Sequence, residues 1–374
     1  MLEKSAFIYD KVNEYMGKNN FDAMVVTSCE NCYYLSGVFL YYNAIVIKKG
    51  HEPVLLVKYI DEVLAKKSGF VKDVRAYSPY QVSHKHGGDI IIGEYPAAIA
   101  EVVKSLGLGD KKICIADFWA VLRPYLDMKK YLPNAEIIVS EPFLEYLRSV
   151  KQDNEIKYIS ESVGLLDRAL DDCANLLVEG TSETAVIGNI ARSIWGNEGE
   201  LTHAIIASGD NSMSPHSKIT HRKLKNRDNV VIDLVSCKNG YYGALTRTFV
   251  IGQIEKQKSD VYNAIIETAE RVYANIKPGM EIGEIARLAL REFEQRGYNL
   301  NTKHAFGHAI GTFQHETPIL NTTEKRKLEK GMVFCFEPGI YIEGLGGFRL
   351  GDLVVMTDNG FVKASDKHRC LNPR

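Results

Sequence analysis

Long apolar runs are missing from this sequence: nowhere does it hold the roughly 20 consecutive apolar residues that a helix needs to cross a bilayer. The opening stretch, Met1-Leu2-Glu3-Lys4-Ser5-Ala6-Phe7-Ile8-Tyr9-Asp10, mixes charges into its apolar residues, which reads against a secretory leader and makes the cytoplasm the expected location. A surplus of either charge is also missing. Lys and Arg number 46 against 47 Asp and Glu, for a net charge of −1, so neither nucleic acid nor an anionic membrane surface is an expected partner. Lysine pairs such as Lys48-Lys49 and Lys66-Lys67 read as solvated faces. The seven cysteines are odd in number and scattered, unlike the disulfide framework of a small secreted fold. One pair, Cys29-Glu30-Asn31-Cys32, has C-x-x-C spacing. No second such pair completes a zinc site, so it reads as structural thiols where a strand gives way to a turn.

What the sequence does hold suits an enzyme-sized fold. With 374 residues and 45% apolar content it can bury a sizeable core and form two domains. Residues 1–147 alternate helical and strand patterns: 6–16 is amphipathic, 23–27 and 113–116 are buried strands, and 44–48 with 53–57 make a hairpin around Lys49-Gly50-His51-Glu52. Residues 148–374 form a second domain opened by a long helix. Asp153 or Asn154 caps it, Ile156, Ile159, Val163, Leu166 and Leu170 keep helical spacing, and Gly180 ends it. A second helix, 183–195, is entered through Thr181-Ser182, and strands at 203–208, 229–236 and 241–250 follow. Helices at 259–276 and 282–296, separated by Lys277-Pro278-Gly279, precede strands at 303–309, 331–342 and 348–357. The second domain thus reads as two similar halves, each a helix pair followed by strands, and the fold class is α/β (α+β).

Several polar residues stand where chemistry is expected. Asp233 interrupts the apolar strand Val230-Val231-Ile232-Asp233-Leu234-Val235, and a carboxylate buried there needs partners, either a site or neighbouring backbone. His216 closes the run Ser208-Gly209-Asp210-Asn211-Ser212-Met213-Ser214-Pro215-His216. His308 and His315 bracket a turn in which Gly307 and Gly311 let backbone approach closely. Glu337 lies in Phe336-Glu337-Pro338-Gly339, and Arg349 in Phe348-Arg349-Leu350-Gly351-Asp352.

These ordered motifs resemble the "pita-bread" family of methionine aminopeptidases, aminopeptidase P, prolidase and creatinase. Asn31-Cys32-Tyr33-Tyr34-Leu35-Ser36-Gly37 resembles the Asn-x-x-Tyr-Leu-Thr-Gly turn of the prolidase and creatinase N-terminal domain. The resemblance implies a creatinase/prolidase-type domain over 1–147 and a catalytic pita-bread domain, with pseudo-twofold αα-β halves, over 148–374. In the metallopeptidases of the family, the order Asp, Asp, His, Glu, Glu supplies the ligands of two divalent ions. Here that order reads Asp233, Ala244, His308, Glu337, Gly351. The missing carboxylates are the bridging ones, and two ions about 3.5–4 Å apart need shared anionic oxygens to offset their repulsion. The expectation is a retained pocket without the dinuclear metal and without a cofactor. A single Zn, Mn or Co at the residual ligand-type positions Asp233, His308 and Glu337 is the rival, since three protein ligands suffice for zinc. Creatinase, the metal-free branch, also carries Ala-Leu at the place of Ala244-Leu245, but Thr246 and Gly351 stand where its two glutamates lie, so creatine itself is not the expected substrate.

The resemblance also implies roles. His216 is the expected general acid/base, since an imidazole titrates near neutral pH and can take and return a proton. Asp233 or Glu337 would orient it, while His308 and His315 polarise the substrate. Tyr242, Thr246 and Arg349 would bind substrate, with the planar fork of Arg349 suited to a substrate carboxylate or to Asp352. The leading expectation is a metal-independent hydrolase of a small polar C–N substrate, in the manner of creatinase or ectoine hydrolase. The alternatives are an Xaa-Pro dipeptidase or aminopeptidase P-type peptidase with a reduced or mononuclear metal site, and a non-catalytic binding member of the fold. The lack of long charged tails argues against the last. A small-molecule substrate and a homodimer complete the expected partners.

Overall fold

The computed structural model describes residues 2–81, 90–117 and 122–372. Packing divides the chain into two compact units, Met1–Arg148 and Ser149–Arg374.

The first unit carries a seven-stranded sheet of β1 (Ala23–Val26), β2 (Ala44–Lys48), β3 (Val54–Lys58), β4 (Asp73–Ser78), β5 (Ile91–Ile92), β6 (Lys112–Ile115) and β7 (Glu136–Val139), in the order β5-β4-β3-β2-β1-β6-β7. Only β2 runs against its neighbours. Helices α1 (Leu2–Lys18), α2 (Cys29–Ser36), α3 (Glu62–Ser68), α4 (Tyr95–Ser105), α5 (Leu122–Tyr131) and α6 (Phe143–Ser149) connect and follow the strands. The strands read as unbroken apolar runs because both faces are buried. Met24, Val26, Ile45 and Ile47 join one core, whereas Ala23, Val25, Ala44 and Val46 join the other. The hairpin expected around Gly50 forms between β2 and β3. The C-x-x-C pair lies elsewhere than expected: Cys29 and Cys32 sit at the start of α2, where the Ser28 side chain accepts from the Asn31 N–H, and the Asn31–Ser36 stretch is helix rather than turn, ended by Gly37 at φ 76°. Burial pushes the Cys32 thiol up, which suits a packing role.

The second unit opens with α7 (Asp153–Cys173) and α8 (Glu183–Gly196). These precede β8 (Glu200–Ser208), β9 (Asn229–Lys238) and β10 (Tyr241–Val250), an antiparallel sheet in the order β10-β9-β8. Then come α9 (Lys256–Tyr273) and α10 (Ile282–Gln295), followed by β11 (Gly307–Ala309), β12 (Glu316–Ile319), β13 (Val333–Phe336), β14 (Gly339–Ile342), β15 (Gly346–Arg349), β16 (Asp352–Thr357) and β17 (Gly360–Lys363). Of these, five form the sheet β12-β11-β13-β16-β17, and β14 and β15 form a hairpin. The two αα-β halves expected from the sequence are therefore present.

Local chemistry moves several boundaries. Gln152, not Asp153 or Asn154, caps α7, because Glu155 three residues on reaches back to its N–H at 2.9 Å in a capping box. The helix stops at Cys173, short of Gly180. The stretches 331–342 and 348–357 each break into two strands, at Glu337-Pro338 and at Leu350-Gly351. A bridge between Thr246 and Gly351 ties β10 to the second break. Gly307, at φ 142°, is required where it stands: a Cβ there would lie 1.8 Å from the Cys335 carbonyl oxygen on β13. Among the described residues, no helix is long and apolar enough to cross a membrane.

Candidate active site

The site begins with strand register. Asp233 pairs with Thr246 and Val235 with Ala244 across β9 and β10, so these four side chains share one face. On that face the second unit encloses a cavity of about 210 Å³, whose wall includes Asp233, Ala244, His308, His315, Glu337 and Arg349, with His216 also on its lining.

Each charged group has a definite partner. Arg349 Nη2 donates to Asp233 Oδ2 at 2.6 Å, and Nη1 reaches the Pro215 carbonyl at 3.4 Å, beside His216. Arg349 thus pairs with Asp233 and not with Asp352, the alternative considered from the sequence. Asp352 is fully buried against Arg247, 3.0 Å away, and accepts from the Tyr273 hydroxyl at 2.9 Å. Burial alone would lower the pKa of Arg349, but Asp233, Tyr341 and Glu337 together raise it, so the guanidinium is a fixed cation. Thr246 Oγ1 lies 3.0 Å from Asp233 Oδ1 and 3.4 Å from Glu337 Oε1, so one hydroxyl serves two carboxylates. That hydroxyl is fully buried. Tyr242 packs edge-on against Phe313 and does not line the cavity.

The histidines differ in exposure. His308 is buried, and its Nδ1–H donates to the Ala309 carbonyl at 2.9 Å, which turns Nε2 toward Glu337 Oε2, 3.6 Å away. His315 is solvent-exposed and lies tilted against it, with ring centroids 4.0 Å apart and ring planes at 58°. Partial desolvation and then His308 push the His315 pKa below its ordinary value, against the pull of Glu337 and Asp233. His216 is solvent-exposed at the cavity edge. Among the described residues, neither carboxylate holds a hydrogen bond to it: Asp233 accepts from Thr246 and Arg349, and Glu337 from Thr246.

Three further residues belong to the site although the motifs did not single them out. His304 lines the cavity and is half-buried, and the desolvation pushes its pKa down. Its Nδ1–H donates to the Ala305 carbonyl at 2.7 Å, so the neutral ring accepts at Nε2 from the Tyr341 hydroxyl at 2.8 Å. Burial raises Tyr341 to about 12, keeping it a donor. Gly339 makes room for the pair, since a Cβ there would lie 2.9 Å from both His304 Nε2 and Tyr341 Oη. His203 on β8 is the third. The signal for His304 was its place four residues before His308; Tyr341 and His203 become visible only through strand pairing.

The model of "Metallopeptidase family M24" matches residues 157–358. The chain belongs to metallopeptidase family M24. The model of the "Creatinase/Prolidase N-terminal domain" matches residues 9–150, so the expected two-domain fold holds over both units. Curated M24 relatives include the Xaa-Pro dipeptidases of Pyrococcus horikoshii, 27% identical over 96% of this chain and 97% of that protein, and of Pyrococcus furiosus, 27% identical over 97% and 98%. The solved prolidase from Pyrococcus furiosus superposes with a TM-score of 0.82 at 26% identity, covering 95% of this chain and 99% of that one. An Xaa-Pro dipeptidase from Bacillus anthracis, at 24% identity and a TM-score of 0.86, shares the fold. As an M24 member the chain is a hydrolase acting on C–N bonds.

Membership of M24 implies divalent metal, and the residues present do not fit a dinuclear centre. Ala244 and Gly351 offer no side-chain ligand, and both oxygens of Asp233 are engaged by Arg349 and Thr246. At Gly351 a Cβ would lie 2.7 Å from Thr246 Oγ1, so a longer side chain there requires the Thr246 contact to open. His308 and Glu337 remain as two groups facing one another, and among the described residues no three His, Cys, Asp or Glu side chains converge to hold an ion.

Proposed function

We propose that this protein hydrolyses the C–N bond of a dipeptide-sized substrate of the Xaa-Pro type, and that it does so without a two-ion centre. The M24 relatives named as Xaa-Pro dipeptidases support the substrate class. One observation carries the mechanism: Arg349 and Thr246 occupy the carboxylate oxygens of Asp233. The interior is thereby a site of fixed protein charges and hydrogen-bond donors.

Within it His308 is the general base. Its Nδ1–H is held by the Ala309 carbonyl, so Nε2 takes the proton of the attacking water, and Glu337, 3.6 Å away, stabilises the imidazolium that forms. His315, whose pKa is pushed below its ordinary value, donates an N–H to the carbonyl oxygen as negative charge develops there. His216 at the exposed mouth takes a proton from solvent and gives it to the leaving nitrogen as the C–N bond breaks, while His308 releases the proton it took from water to solvent. Arg349 holds the His216 loop through the Pro215 carbonyl. Thr246 and Arg349 then position the carboxylates, and Tyr242 stands aside from the cavity. A homodimer in the cytoplasm is part of the same proposal, checked by light scattering.

A second reading, a small polar non-peptide C–N substrate of the kind that creatinase or ectoine hydrolase cleaves, draws on the same absent carboxylates. A hydrolysis panel of Xaa-Pro dipeptides, creatine-like and ectoine-like compounds separates the two. Turnover is expected to survive EDTA, and His308→Ala is expected to lower kcat by about 10²–10⁴-fold. Loss of activity in EDTA with recovery in Mn or Co would contradict the mechanism.

A further inference from the structure

On β8 the ladder to β9 shifts register between Leu201 and His203. Below the shift, Ile205 pairs with Asp233, and His203 pairs with Val235, which in turn pairs with Ala244 on β10. His203, Val235 and Ala244 therefore form one transverse row on the cavity face, and all three line the cavity. Plain alternation from Ile205 through His203 would carry Leu201 onto the same face. The bulge turns Leu201 back against the core that contains Leu166, Ile206 and Leu234 instead. Thr202, the extra residue, donates its hydroxyl to the Val235 carbonyl at 3.1 Å, which fixes the bend. The cavity wall on β8 thus ends at an exposed imidazole standing in the row where Ala244 presents only a methyl group.

From this row the geometry points to His203 as a substrate-contacting, specificity-determining residue that hydrogen-bonds the part of the substrate lying over Ala244. The inference rests on the proposed function only in taking this cavity as the substrate site. A second imidazole, His315, lines the same cavity as His203 and Ala244. A neutral imidazole offers one donor and one acceptor, so the pair suits a polar substrate group, such as an amide or a carboxylate, better than an apolar side chain. Ile205, Val235 and Ile319 supply the apolar remainder of that wall.

Two experiments on the full-length protein decide it. With whichever panel compound the wild type cleaves, His203→Ala is expected to raise KM about 10-fold or more while lowering kcat less than about threefold, and His203→Gln to recover most of the loss. An unchanged KM in a folded His203→Ala protein overturns the assignment. The second experiment needs no substrate. In Ala244→Asp, a carboxylate enters the same row, and the His203 titration followed by imidazole ¹⁵N NMR is expected to move up by about one pH unit. A His203 titration that ignores Ala244→Asp shows that the ring does not face this space and overturns the inference. If no panel compound is cleaved, the proposed function fails while the NMR result still decides the placement of His203.

Discussion

Thr246 is a single hydroxyl set between Asp233 and Glu337, and it shows how this site holds a buried and a half-buried acid close together. Thr246→Val keeps the shape and removes the donor, so both oxygens lose a partner. Urea unfolding is expected to show a loss of about 1–3 kcal/mol, with Thr246→Ser close to wild type. Arg349 is the other support. Its side chain and that of Asp233 are nearly buried, 6% and 12% exposed, so removing the cation leaves a carboxylate without compensation. Arg349→Ala is expected to destabilise the fold by about 3–5 kcal/mol in the same assay. The histidines set a pH dependence. Partial desolvation holds the pKa values of His304 and His315 below the ordinary 6.5, so the unfolded chain binds protons before the folded one does. Their contribution to stability is full above pH 6.5 and is lost as pH falls through the window beneath it. Thermal melts should therefore show Tm dropping as pH is lowered below about 6.5, and a flat Tm there would contradict the burial argument. At this scale the sequence was partly legible. Asp233, His308 and Glu337 stand out as polar residues in apolar surroundings, but the partner of Arg349 was not, because only the fold brings β15 beside β9.

Elements place these residues, and one buried ion pair ties two of them. Lys151, ahead of α7, lies 2.9 Å from Glu316 at the start of β12, with both side chains 2% exposed. Glu316 also accepts from Thr312 Oγ1 and the Phe313 N–H, both at 3.2 Å, so the pair fixes the turn that carries His315. Gly311 permits the approach, since a Cβ there would lie 2.7 Å from Glu316 Oε2. Lys151→Met strands the glutamate and is expected to cost about 3–5 kcal/mol of stability, part of which Lys151→Met with Glu316→Gln recovers. Periodicity exposed the helices and the buried strands well, because spacing is local. It missed the breaks at Glu337-Pro338 and Leu350-Gly351, where the chain leaves the ladder to deliver functional groups, and the bulge at Thr202 that ends the cavity wall at His203.

At the scale of the whole molecule, the two-domain organisation and membership of family M24 were readable from motifs spread through both halves, because those motifs keep their order over long separations. At the ligand positions that the sequence resemblance implies, Ala244 and Gly351 carry no carboxylate, Thr246 lies between Asp233 and Glu337, and Arg349 supplies a fixed cation at Asp233. The central claim is C–N bond hydrolysis without a two-ion centre. Metal content by inductively coupled plasma mass spectrometry, measured on the same EDTA-dialysed sample that cleaves a panel substrate, tests it most directly. The account predicts full activity with less than one equivalent of Mn, Co, Fe or Zn per chain. Two tightly held equivalents, with activity that follows their removal and return, would contradict it.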